Sequence, residues 1–284
     1  MTGLPFGQPK AMYKSYLLTL AIFLCLATPQ NSRADDKNRN ILYSEIRQSI
    51  RLLESGTAGH EDATKIADAI DGFETQYPEE DLILSILVGS YLDALDTSES
   101  GLLRQTLEYY ASHKNIRIRT LAEGKLRLLG YFTKPMNLRF ISSINQPVDV
   151  ANLQGKVILL IFWSTWCPSC REEIESIKEI YSKYFGHEFE IIGISLEMAP
   201  SDRSQNSQQK TLQQFNDYLS ANNIKWPNYY DGRLWDNEIA VSLSIRSIPK
   251  TILLKRDGLV DSVRLRGDKL EKRIVELLKG NRTP

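Results

Sequence analysis

Val157-Ile158-Leu159-Leu160-Ile161-Phe162-Trp163 runs straight into Ser164-Thr165-Trp166-Cys167-Pro168-Ser169-Cys170. The first seven residues are unbroken β-branched, aliphatic and aromatic, as a central strand buried on both faces requires. Ile174, Ile177, Tyr181 and Tyr184 then recur at the spacing of one helical face. The cysteine pair therefore sits where a strand ends and a helix begins. A helix start aims unsatisfied N–H groups and the positive end of the dipole at the Cys167 sulfur. A thiolate there is stabilised, so its pKa should fall below the free value of about 8.5. Pro168 suits the first helical position, where its missing N–H costs nothing. Cys170, nearly one turn on, faces the first sulfur and is expected to be more buried. Cys167 reads as the attacking thiol at the solvent edge, and Cys170 as the thiol that resolves a mixed disulfide.

Two blander readings compete. A CxxC can be half of a zinc site, which needs four ligands. The chain has three cysteines, one of them Cys25 near the start, and its histidines His60, His113 and His187 are scattered. No metal is expected. The pair could also be a purely structural disulfide, although so small a loop constrains the unfolded chain little.

Downstream, Phe189 to Leu196 reads as a second buried strand, and Leu212, Phe215 and Leu219 as a helix face. Ala199 to Lys210 is polar and Ser/Gln-rich, a loop or helix start near the site. Asp236 is expected to cap a short helix carrying Ile239 and Leu243. Lys250 to Lys255 and Leu259 to Leu265 flank Asp257-Gly258 and read as an antiparallel hairpin. Leu270 to Leu278 closes as an amphipathic helix. The sum is a three-layer α/β domain with a mixed sheet. Arg264, Arg266, Lys269, Lys272 and Arg273 form a basic cluster, read as a solvated face.

Residues 40–130 have a different grammar. Leu42, Ile46, Ile50 and Leu53, then Ile66, Ile70, Phe73 and Tyr77, recur at helical spacing, and Leu82 to Leu95 is apolar on nearly every side. About five short helices imply an all-α bundle or solenoid fragment, with no repeat period. Nothing here converges on a chemistry, so a scaffold or partner-binding role is expected. Residues 1–34 read as a signal peptide or N-terminal anchor: Lys10 and Lys14 precede the apolar run Tyr16 to Ala27, and Ser32-Arg33-Ala34 offers a cleavage site. The expected divisions are thus 1–34, an all-α region 35–135, and an α/β domain 136–284. With 35 basic and 35 acidic residues among 284, the chain is neutral, which argues against a nucleic-acid partner.

Phe162 to Cys170 resembles the active-site stretch of the thioredoxin superfamily, in particular TlpA/ResA-type thiol–disulfide oxidoreductases. The likeness extends from about Leu138 to the C-terminus. Val148 to Lys156 resembles the approach to the first central strand, Trp226-Pro227 through Tyr230-Asp231-Gly232 a segment before the third helix, and Ile245 to Thr251 the segment carrying the family's cis-proline. The resemblance implies a thioredoxin fold with an added N-terminal hairpin and a cis bond between Ile248 and Pro249. It further implies an Ile248 backbone that pairs with a bound substrate strand beside the cysteines. Trp166 and Pro168 are expected to contact substrate as well. Glu173, three residues after Cys170, matches a glutamate linked in ResA-like proteins to cysteine reactivity, and could shuttle protons. Thioredoxin itself keeps a buried aspartate in the strand where this chain has Ile161, which adds interest to Glu173.

The expectation is an exported enzyme, in the bacterial periplasm or on the outer face of the cytoplasmic membrane. It would exchange dithiol for disulfide with protein thiols and disulfides, as a reductant, with no cofactor beyond the Cys167–Cys170 disulfide. The resemblance points to cytochrome c maturation or to upkeep of exported thiols, fed by a membrane or periplasmic electron donor. Membrane contact would run only through an uncleaved N-terminal segment. Rival readings are a partner-binding or redox-sensing module and a peroxiredoxin-like peroxide reductase. The latter needs threonine three positions before the reactive cysteine, where this chain has Ser164.

Overall fold

A computed structural model describes residues 32–95, 100–186, 188–198 and 205–280. The apolar run Tyr16 to Ala27 and Cys25 lie outside the described residues, as do His187 and residues 199–204. Among the described residues no helix is long and apolar enough to cross a membrane.

The chain divides into two compact units between Glu80 and Asp81. In the first, α1 (Ser32–Glu54) and α2 (His60–Gln76) form a helical pair. Ile46, Ile50 and Leu53 on α1 and Ile66, Ile70 and Phe73 on α2 are buried, the faces their spacing foretells. Arg39 reaches the Glu80 carboxylate.

The second unit starts with α3 (Asp81–Leu95), α4 (Ser100–Tyr110) and α5 (Ile116–Gly130). α3 buries residues on most of its circumference, matching its uniformly apolar sequence. Asn115 caps α5, its side chain accepting from the N–H groups of Arg117 and Ile118. A short hairpin of β1 (Arg139–Ile141) and β2 (Pro147–Asp149) follows. Then come β3 (Val157–Trp163), α6 (Pro168–Tyr184), β4 (Phe189–Ser195), α7 (Gln205–Ala221) and β5 (Asn228–Tyr230). α8 (Glu238–Ser242), β6 (Lys250–Leu254), β7 (Val260–Val263) and α9 (Gly267–Lys279) complete the chain.

The sheet order is β5-β4-β3-β6-β7. β3 and β4 run parallel, as do β4 and β5, while β6 pairs antiparallel with both β3 and β7. Every residue of β3 is buried, and alternation sends them to opposite faces. Val157, Leu159, Ile161 and Trp163 pack with Ile174 and Ile177 of α6, Phe215 of α7 and Ile274 of α9. Ile158, Leu160 and Phe162 pack on the other face with Met136, Val150, Ile239 and Leu243. This is the three-layer mixed-sheet architecture the sequence implies.

Three details differ from the sequence reading. Asn237, not Asp236, caps α8: its Oδ1 accepts from Ala240 N at 3.0 Å, while Asp236 ends a preceding 3-10 turn. The compact division falls well before residue 135, so α3 to α5 group with the α/β elements rather than with α1 and α2. α5 packs against α8, and Gly124 permits the approach: a Cβ there would meet the Ser244 backbone nitrogen at 2.9 Å. Finally, the basic cluster is not simply solvated. Arg264 pairs with Asp93, Arg266 donates to the Pro249 carbonyl, and Arg273 grips Asp261 at 2.8 and 2.5 Å. Burial alone would raise Asp261, but the Arg273 hydrogen bonds outweigh it and hold the carboxyl below its ordinary value.

Candidate active site

β3 ends at Trp163, and four residues later the chain enters α6. Cys167 is the N-cap, in extended conformation, and Pro168 takes the first turn. The Cys167 Sγ accepts from Cys170 N–H at 3.2 Å, so a helix-start amide, shared with the Cys167 carbonyl at 3.2 Å, is aimed at this sulfur. Ser169 Oγ lies 3.4 Å away. Cys167 and Cys170 are joined as a disulfide with Cα atoms 5.2 Å apart. The expected inequality between the sulfurs is present but small. Cys167 keeps 5% of its surface and Cys170 none. Cys167 is thus more covered than a residue at a solvent edge was expected to be, because its sulfur is turned inward onto Cys170.

The loop delivering Cys167 is strapped to the end of β4. Trp166 Nε1 donates to Leu196 O at 3.1 Å. Thr165 N–H donates to Glu197 Oε1 at 2.5 Å, and Thr165 Oγ1 to Glu197 Oε2 at 3.0 Å. Arg171, one turn into α6, donates to Thr165 O at 2.9 Å. Burial pushes the Glu197 carboxyl above the usual carboxylate range, and the two Thr165 bonds offset only part of that. Sequence reading did not single out Glu197. Its one signal is an acid placed directly after the strand stretch Phe189 to Leu196.

The second wall of the site is the segment before β6. The Ile248–Pro249 bond is cis. β6 begins with Lys250 opposite Phe162, so Pro249 lies at the end of β3 from which the cysteine loop departs. Half-buried Ile248 packs against the core cluster that contains both cysteines. Trp166 is 47% exposed and Pro168 is exposed, whereas Trp163 is wholly buried. Trp166 and Pro168 therefore offer surface beside the pair. Glu173 is half-buried, and its Oε1 accepts from Gly267 N–H at 3.3 Å, which ties it to the start of α9. Among the described residues no cluster of three or more His, Cys, Asp or Glu side chains could hold a metal ion.

A parallel strand that hands a CxxC pair to a helix N-terminus, with a cis-proline at the same sheet end, defines the thioredoxin-like class. Residues 155–260 match the family model described as thioredoxin-like. The chain is 26% identical over 136 residues to the thiol-disulfide oxidoreductase ResA of Halalkalibacterium halodurans, covering 47% of this chain and 69% of that protein. It is 30% identical over 131 residues to the thiol:disulfide interchange protein DsbE of Yersinia pestis, covering 45% and 60%. A solved thiol-disulfide oxidoreductase from Bacteroides fragilis aligns with 51% of this chain and 98% of its own, at 19% identity and a TM-score of 0.41. Residues 155–260 thus form a thioredoxin-like domain, and over about half its length the chain is similar to thiol–disulfide oxidoreductases named ResA and DsbE.

Proposed function

We propose that this protein is an exported reductant of protein disulfides, with Cys167 as nucleophile and Cys170 as resolver. The observation that carries this reading is the bonded pair at the start of α6, with the Cys170 amide directed at the Cys167 sulfur. In the reduced enzyme the Cys167 thiolate attacks one sulfur of a substrate disulfide. A Cys167–substrate bond forms, the substrate S–S bond breaks, and the released substrate thiolate takes up a proton. Cys170 then loses its proton and its thiolate attacks Cys167 Sγ. The mixed disulfide breaks, the second substrate thiolate leaves, and the Cys167–Cys170 bond closes. Two electrons have passed to the substrate. A dithiol donor, membrane-borne or periplasmic, must return them. The sulfurs themselves carry the electrons, so no added cofactor enters the cycle.

Trp166, Pro168 and the Ile248–Pro249 backbone are the proposed contacts for the substrate chain. Glu173, in the first turn of α6, is the proposed proton relay to the resolving thiol. The relatives named ResA and DsbE favour a bacterial extracytoplasmic setting and a link to cytochrome c maturation. Reductants and oxidants of this fold span about −270 to −120 mV, so the midpoint of the pair tests the direction. A value toward the thioredoxin end supports the reductant, and one toward the oxidising end overturns it. The activity itself is tested with Cys167→Ser: reduction of a model disulfide protein should be lost while the fold is kept. Turnover that persists in this variant would leave a binding or redox-sensing role.

A further inference from the structure

Glu197 is a buried acid for which the exchange chemistry has so far no use. It is 7% exposed. Among the described residues no lysine, arginine or histidine forms an ion pair with it. A carboxyl taken out of water without a cation is costly, and such groups collect at functional sites. What Glu197 touches is the peptide that delivers the nucleophile. Both carboxylate oxygens hold Thr165, one through its N–H and one through its hydroxyl. The neighbouring Leu196 carbonyl holds the Trp166 indole, and Leu196 N–H is itself bonded to Trp163 O at 2.8 Å. Glu197 O is fixed in turn by Leu234 N–H at 2.9 Å. The whole bend from Trp163 to Cys167 is therefore strapped along Leu196 and Glu197.

We propose that Glu197 is a positioning residue for the attacking thiol: its ionised carboxylate clamps Thr165, and through Thr165 and Trp166 it fixes where Cys167 leaves the sheet. The inference rests on the reading of Cys167 as nucleophile. A carboxylate accepts from both Thr165 donors at once. A carboxylic acid has one oxygen occupied by its own proton and holds them less well. Charge on Glu197 thus tightens the clamp, and neutralisation slackens it. The other groups around the clamp are Arg171 on α6, which donates to Thr165 O, and Tyr218 on α7 and Tyr230 on β5. Both tyrosine hydroxyls are pushed up, first by burial and further by the Glu197 charge, so they stay neutral while Glu197 titrates. Burial pushes the Glu197 carboxyl above its ordinary value, so the slackening sets in at higher pH than it would for a solvated glutamate.

The test is the rate of Cys167 alkylation by iodoacetamide against pH in the reduced full chain, with reduction of a model disulfide protein measured in parallel. The wild-type alkylation rate should rise in two steps, the lower one belonging to Glu197 and the upper to the thiol. Glu197→Gln keeps an oxygen for Thr165 N–H and can donate to the Thr165 hydroxyl. Neutral at every pH, it should lose the lower step and stay below the wild-type rate through the upper one. Glu197→Ala should slow alkylation at every pH by at least about tenfold, as misplacement of a reacting group does. Thr165→Val removes one bond that favours the charged form, so it should move the lower step to higher pH and guard against a misfolded alanine variant. A Glu197→Gln profile that superimposes on wild type in both steps, or a folded Glu197→Ala variant within twofold of wild type, overturns the proposal. Alkylation needs no protein substrate. Absent disulfide reduction by the wild type would thus count against the proposed function while the two-step profile still decides the role of Glu197.

Discussion

Trp163 donates its indole N–H to Asn228 Oδ1 at 3.0 Å across the interior of the sheet, and neither residue has contact with solvent beyond 1%. Asn228 also donates to Trp226 O at 2.9 Å. Gly193 of β4 leaves the room: a Cβ there would stand 1.8 Å from Asn228 Oδ1. The last residue of β3 is thereby pinned to β5 across β4, one step before the cysteine loop starts. Asn228→Ala should cost about 1–3 kcal/mol, since it strands a buried indole N–H. Gly193→Ala should cost at least as much, because the added methyl must displace the amide it would otherwise overlap. Urea unfolding of both variants measures this, and a loss below about 0.5 kcal/mol in either would show the pin to be dispensable.

The two cysteines should fail differently. Cys167→Ser removes the attacking atom, so no covalent complex with a disulfide substrate should form. Cys170→Ser keeps the attack but removes the resolver, so the Cys167–substrate disulfide should accumulate. Mass spectrometry of non-reduced reaction mixtures distinguishes them. Complexes trapped equally by both variants would contradict the assignment of roles.

Much of this site could be read from residue order, and the reason is local. Seven consecutive apolar residues followed by a CxxC with proline inside specify strand, turn and helix start within one stretch of chain, and Val157–Trp163 is the observed β3. The Ile248–Pro249 region could be found because its neighbours form a recognisable segment. Glu197 could not, because an acid after a buried strand looks like the start of a solvated loop. Only the folded chain sets it against Thr165, 32 positions away. Arg264 looked solvated for the same reason. Its partner Asp93 is 171 positions distant. Asn237 displaced Asp236 as the helix cap by a single position, and two adjacent cap-competent residues cannot be ranked from local preference.

Glu173 should act in the exchange rather than in holding the fold. It is half-buried, and the hydrogen bond its side chain accepts from Gly267 N–H is long, at 3.3 Å. Glu173→Gln can retain that acceptor while losing the ability to move a proton. Disulfide exchange should slow by about tenfold or more, below the full range for acid–base groups because water can substitute. The unfolding midpoint should change little. Stopped-flow tryptophan fluorescence with a model disulfide gives the rate, and an unchanged rate would remove Glu173 from the mechanism.

Asp93 joins α3 to three cations drawn from elsewhere in the second unit. Its carboxylate lies 2.7 Å from Lys125 Nζ, 3.3 Å from Arg264 and 3.8 Å from Arg246. Lys125 is buried, so it depends on this partner for compensation. Burial by itself would raise the Asp93 carboxyl, but the charge and hydrogen bond of Lys125, followed by Arg246 and Arg264, hold it below its ordinary value. The sign follows from linkage. A carboxyl lowered in the folded state stabilises the fold fully above its unfolded pKa of about 3.9 and loses that contribution as pH falls toward the folded value. Asp93→Asn leaves Lys125 charged and uncompensated, and should cost about 1–3 kcal/mol at neutral pH, less than a fully buried pair because Asp93 is partly solvated. The gap between wild type and variant should narrow as pH drops below about 4, where the wild-type carboxyl also becomes neutral. Denaturant midpoints at pH 7, 5 and 3 measure the gap. If it stays constant across that range, the Asp93 charge is not what ties α3 to Lys125 and the two arginines.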